Sequence, residues 1–240
     1  MNHHPLDAAI RLLVSLTVLV FLIVLRRGLF RGGRSPVWFD VSWASALAVA
    51  LAFTYVPALR DTLPWTFPLG GAFGWVVAGT TLAFPRVRAA FDRISDADAR
   101  ILMSFRMIFG VFVFVLATVG AVPNVFALTA GVGDLVVGGV ALSVPGQLDG
   151  RGGRLARIVV HGLGLIDIVQ VAFLAITVVR PWSIANGNTA TFMALPWVAV
   201  PIMFAINAHG IRQASFQEVA QPGRDGSESP GGVRSALSGT

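Results

Sequence analysis

Three ionisable residues stand inside long apolar runs of this chain: Arg106, Asp134 and Asp167. Asp134 sits in "TAGVGDLVVGG", residues 129–139, and Asp167 in "HGLGLIDIVQVAFLA", residues 161–175. Two carboxylates of this kind suit one of two chemistries. They can share a proton and activate a water, or accept a proton or a cationic or hydrogen-bonding solute. A single arginine is available to neutralise one of them, which leaves the other to meet a proton or a ligand. Gln170, Asn207, His161 and His209 add polar capacity in the later runs. The bland alternative is an Arg106–carboxylate ion pair that only holds helices together.

The spacing says how such groups would be housed. On a helix, Ala130, Asp134, Gly138 and Ala141 fall near one face, with Gly131 beside them, and Gly133 precedes the aspartate. Small residues four apart let a second helix approach closely, so Asp134 is expected in a tight seam and not against lipid. Gly164, Asp167, Gln170 and Val171 share a face of the later run. The expected packing seam is therefore Gly131, Gly133, Gly138 and Gly164. The expected polar centre is Arg106, Asp134, Asp167 and Gln170, with His161 and His209 at one mouth. No established ligand motif surrounds the histidines, so neither a metal nor a cofactor is expected.

Composition identifies the elements that carry these groups. Hydrophobic residues make up 55% of the 240 and charged residues only 12%, about half the usual charged share of a soluble domain. Runs such as LLVSLTVLVFLIVL (12–25) lack the alternation of a transmembrane barrel. The expectation is an all-α, polytopic transmembrane helix bundle. Seven spans can be drawn, at 8–25, 41–59, 68–84, 101–122, 125–144, 158–179 and 190–208, each near the ~20 residues a bilayer needs. The bundle is expected over 1–210 and a disordered polar tail over 211–240. About nine residues into their spans, at ~1.5 Å per residue, Asp134 and Asp167 would lie near the midplane.

Charge placement sets the orientation. All 18 basic residues are arginine. Fourteen of them fall on one side of the seven-span drawing, and only Arg11, Arg60 and Arg180 on the other. By the positive-inside rule the N-terminus is outside and the C-terminus cytoplasmic. The same placement accounts for the net charge of +6 without nucleic acid. Without lysine there is no Schiff-base chemistry and no covalently held retinal; without cysteine there is no disulfide or thiolate. Ser95, three residues before Asp98, reads as the cap of the fourth helix.

Two resemblances follow from these residues. The run "FRMIFGVFVFVLATVGAVPNVFALTAGVGDLVVGGVAL", 105–142, resembles a set of uncharacterised bacterial multi-spanning membrane proteins. The matching pieces are Arg106, Pro123, Phe126, Gly131, Gly133, Asp134, Gly164, Asp167, Pro196, Pro201 and His209. That resemblance implies a multi-pass protein of the bacterial cytoplasmic membrane and no particular activity. "GVGDLVVGG" is also similar to the Gly-x-Gly-Asp motif of intramembrane aspartyl proteases, which would make Asp134 and Asp167 a catalytic dyad. The chain departs from that family in three ways. No earlier span carries an aspartate, the Tyr-Asp motif is missing, and Pro-Ala-Leu at 57–59 precedes the motif where the family has it after.

Function is expected to be transport or binding of a small solute or a proton at this centre. The alternatives are a membrane-embedded enzyme of the aspartyl protease type, and a structural or regulatory subunit. The expected partners are the lipid bilayer, a small solute or a proton, and optionally a second copy of the chain.

Overall fold

A computed structural model describes residues 5–31, 33, 36–60, 72, 75–76, 78–80, 83–144, 150–186 and 195–216. Among these the chain is all-α, with no strand. The helices are α1 (Pro5–Leu29), α2 (Val37–Tyr55), α3 (Pro57–Arg60), α4 (Pro85–Phe91) and α5 (Asp96–Thr118). Next come α6 (Asn124–Ser143), α7 (Gly150–Leu174), α8 (Arg180–Asn186) and α9 (Val200–Phe216). Four helical stretches are long and apolar enough to cross a membrane: Ala8–Leu29, Asp96–Thr118, Asn124–Ser143 and Gly152–Ala185. A shorter apolar helix covers Phe39–Tyr55. Most of the expected third span, and the start of the seventh, lie outside the described residues. The last helix runs to Phe216, past the bundle boundary expected at residue 210.

The outward faces are as greasy as the inward ones. Leu12, Leu16 and Ile23 on α1, Ile108 and Val111 on α5, and Ile166, Val169 and Phe173 on α7 are all exposed. Contiguous exposure on this scale is what a lipid-facing surface requires. Inside, Phe21 of α1 meets Phe105 and Phe109 of α5 edge-on, with ring centroids 5.6 and 6.4 Å apart.

The α5–α6 hairpin sets the geometry of the centre. Ser95 caps α5 by accepting the Asp98 N–H at 3.2 Å, as its spacing suggests. At the far end Gly120 takes φ +67°. Ala121 N–H then donates to Leu116 O at 2.8 Å and Gly120 N–H to Ala117 O at 3.0 Å. This is a Schellman stop, which favours glycine at that position. Pro123 follows and starts α6. Arg106 and Asp134 are similarly far from this turn, roughly 15–20 Å along their helices at ~1.5 Å per residue, so they face each other.

Polar pairs gather the other helix ends. Arg26 pairs with Asp40 at 2.8 Å, Arg31 with Asp98 at 2.6 Å, and Arg157 with Asp96 at 3.2 Å. Arg212 pairs with Asp92, and Arg100 donates to Val144 O at 2.9 Å. The C-terminal ends of α1, α6 and α9 and the N-terminal ends of α5 and α7 thus lie at one end of the bundle. Exposed pairs of this kind contribute about 0–1 kcal/mol each and act mainly on register. At the opposite end Arg11 of α1, buried, donates to Thr54 O of α2 at 3.2 Å.

The α5–α6 seam is close. A Cβ on Gly138 would lie 2.5 Å from Met107 Cγ and 3.0 Å from the Met107 backbone N, and one on Gly131 would lie 2.7 Å from the Phe114 ring. Gly139, one residue on, has nothing within 4 Å of an added Cβ. Gly138→Ala should therefore lower stability by about 1–3 kcal/mol. Gly139→Ala should be neutral or raise stability by up to about 1 kcal/mol. Thermal unfolding of the purified full chain in detergent checks the contrast, and equal midpoints would refute the seam.

Candidate functional site

The expected charged trio is brought together, and the arginine serves both aspartates. Arg106 Nε donates to Asp134 Oδ1 at 2.8 Å, Nη2 bonds Asp167 Oδ2, and Nη1 donates to Gly164 O at 3.1 Å. Three helices thereby meet on one guanidinium: α5 supplies it, α6 supplies Asp134, and α7 supplies Asp167 and the carbonyl. The planar fork is the group best suited to such a junction. The glycines make the approach possible. A Cβ on Gly133 would run into the Asp167 carboxylate, and one on Gly164 would lie 2.6 Å from Asn207 Oδ1. All four seam glycines expected from the sequence are thus points of close approach, each to a different side chain.

The two carboxylates differ in their surroundings. The Asp167 side chain is 9% exposed and shut in by Arg106 and Gly133. The Asp134 side chain is 15% exposed and lines a cleft. Its Oδ1 is taken by Arg106, while Oδ2 has no hydrogen-bond partner among the described residues.

That cleft encloses about 710 Å³, mouth included. It runs from Arg106 and Asp134 toward the end of the bundle that carries the α5–α6 turn, past Phe109, Val113, Phe126, Val179 and Leu195. Apart from Arg106 and Asp134, every lining residue is apolar.

Three π-helical turns contribute to its wall: Ala127–Gly131, Ala175–Val179 and Leu195–Ala199. Two have the same cause in sequence. Pro181 and Pro201 each stand two residues beyond a π turn, where the ring removes an N–H and crowds the carbonyl four residues back. The ladder answers with a wider turn, seen in the Arg180 N–H donating to Ala175 O. Single π turns inside α-helices occur often at functional sites.

The histidines are also brought together, but away from the trio. They line a smaller cavity of about 340 Å³ at the ion-paired end, with Phe91, Asp96, Arg157 and Gln213. His209 stacks on Phe91 with ring centroids 4.9 Å apart, and its Nδ1 lies 3.4 Å from Asp92 Oδ1. His161 Nδ1 bonds Asn207 Oδ1 at 3.0 Å, and Asn207 donates to Met203 O at 2.9 Å. Because Asn207 presses on Gly164, polar groups continue from Asp134 through Arg106, Gly164 and Asn207 to His161. Gln170 is a correction: its side chain is on the exposed face of α7, outside the centre. The helical phase that puts it near Asp167 also carries it one step around the rod, to the outer surface.

Among the described residues no group of three His, Asp or Glu side chains could hold a metal. Of the aromatic and aliphatic cleft wall, Phe126 belongs to a motif, while Phe109, Ile168 and Met203 were not marked by any. Its signal in the sequence was the pair of prolines inside apolar runs.

Residues 63–213 match the model of a domain of unknown function, DUF8737. The chain belongs to that family. The DUF8737 region holds Arg106, Asp134, Asp167, His161 and His209 together with the cleft-forming π turns, and leaves α1 and α2 outside. No curated protein and no solved structure matches the chain.

Removing the arginine should strand two carboxylates. Arg106→Met is expected to cost about 3–5 kcal/mol. Asp167→Asn, at the more enclosed carboxylate, should cost more than Asp134→Asn. Unfolding midpoints of the three variants test this. An Arg106→Met protein as stable as wild type would mean that the trio does not hold the bundle.

Proposed function

We propose that this chain is a multi-pass protein of the bacterial cytoplasmic membrane that binds, and carries across, a small solute or a proton at the Arg106–Asp134–Asp167 centre. The observation that carries this reading is Asp134: one oxygen is held by Arg106, and the residue lines an otherwise apolar cleft. A carboxylate needed only for packing gains nothing from such an opening. The second cavity, on the opposite side of the centre, supports a path with two mouths. Between them lies the plug formed by Arg106, Gly164 and Asn207.

The proposal includes seven spans with the N-terminus outside. Its support is the bias of the arginines and the grouping of helix ends, since the positive-inside rule favours a cytoplasmic side for an arginine-rich end. The cleft then opens outward.

An aspartyl protease dyad is the second reading, and it has less support. Such a dyad shares one proton and one water between its carboxylates, whereas here a guanidinium stands on both.

The absence of native cysteine allows a direct test with single introduced cysteines. In spheroplasts, Asn124→Cys and Ala175→Cys should react with a membrane-impermeant maleimide. Arg93→Cys should react only after permeabilisation, and Val136→Cys, on the exposed apolar face of α6, should stay unlabelled. Labelled Arg93→Cys with unlabelled Asn124→Cys would reverse the orientation. Unlabelled Ala175→Cys beside labelled Asn124→Cys would mean a closed core and favour a structural subunit.

A further inference from the structure

The chemistry of the solute can be read from what the cleft leaves unsatisfied. Each nitrogen of the Arg106 guanidinium already donates: Nε to Asp134, Nη1 to Gly164 O and Nη2 to Asp167. Three of its five N–H groups are thereby engaged. Asp167 is shut away behind Gly133. With both carboxylates ionised the trio carries one net negative charge, and Arg106 and Asp134 are its two residues on the cleft. The rest of the wall, including Phe109, Val113, Phe126, Ile168, Val179 and Met203, is hydrocarbon.

We propose that the cleft binds an amphipathic organic cation, with an ammonium-type head on Asp134 and an apolar body along the walls. This rests on the solute-binding reading above and names its substrate class. The head supplies the positive charge that the trio lacks and an N–H donor for the Asp134 carboxylate. A buried net negative charge is costly at this depth, so charge complementarity sets the sign of the ligand. An anion would meet net negative charge. A neutral alcohol would satisfy the hydrogen bond and leave the charge.

The test compares three probes with one tail: octylammonium, octanol and octanoate. Each is titrated by calorimetry into the purified full chain in nanodiscs, with protein-free nanodiscs subtracted. Thermal midpoints give a second readout, since a ligand that binds only the folded state raises them. Octylammonium should bind at least about tenfold more tightly than octanol, and octanoate more weakly still. Asp134→Asn should remove that tenfold advantage and leave octanol unchanged. Ala175→Phe, which fills the cleft without altering a charge, should weaken both.

Equal binding of octanol and octylammonium, insensitive to Asp134→Asn but lost in Ala175→Phe, would overturn the cation and leave a solute cleft standing. No binding of any probe, together with an unlabelled Ala175→Cys, would overturn the cleft reading as well. Should Asp134→Asn fail to fold, the three probes on the wild-type chain still decide the sign of the charge.

Discussion

A guanidinium held between two carboxylates, deep in a bundle with apolar outer faces, is the contact on which the arrangement of α5, α6 and α7 depends. Removing three charges from water is expensive, and their attraction repays the cost only with good geometry and further hydrogen bonds. Arg106 meets that condition by using three nitrogens on three different acceptors. The glycines are part of the same constraint. They let the helices approach closely enough for those bonds, at Gly133 against Asp167 and at Gly164 against Asn207. A methyl group at either position would push the partners apart. Ion pair and small-residue seam are therefore one device.

The helix irregularities give this device an opening. Straight α-helices around Arg106 would close over it with apolar side chains. Instead three π turns widen the wall on one side of the centre, two of them ahead of a proline in an apolar run. The cleft ends on the carboxylate that is less enclosed. The opposite side is shut by Asn207, which bonds His161 and backs onto Gly164. The proposed binding path and the ion pair thus share residues, and the exposure of Asp134 is where the two roles diverge.

Helix existence, membrane character and the charged residues at stake were legible in the chain because they follow from local features. Long uncharged runs, the Ser95 cap, arginine clustering and the four-residue spacing of small residues each involve neighbours in sequence. The fourth, fifth and sixth apolar runs appear as helices near their expected positions. The sixth continues to residue 185 because Pro181 is accommodated by a π turn and does not end the rod. Gln170 shows the limit of helical phase. It lies near Asp167 around the axis, yet exposure depends on where the neighbouring helices stop.

From sequence alone came the three charges that a bilayer would not tolerate unpaired, and the glycines that let helices close on them. Both follow from desolvation cost and side-chain volume, which are properties of single residues. Tertiary structure alone decided that one arginine serves both aspartates, and that Asp134 faces a cleft while Asp167 does not. Those facts depend on which helix faces which, at what depth, and with what gap between them. Such relations are set by packing among residues tens of positions apart, and no local pattern encodes them.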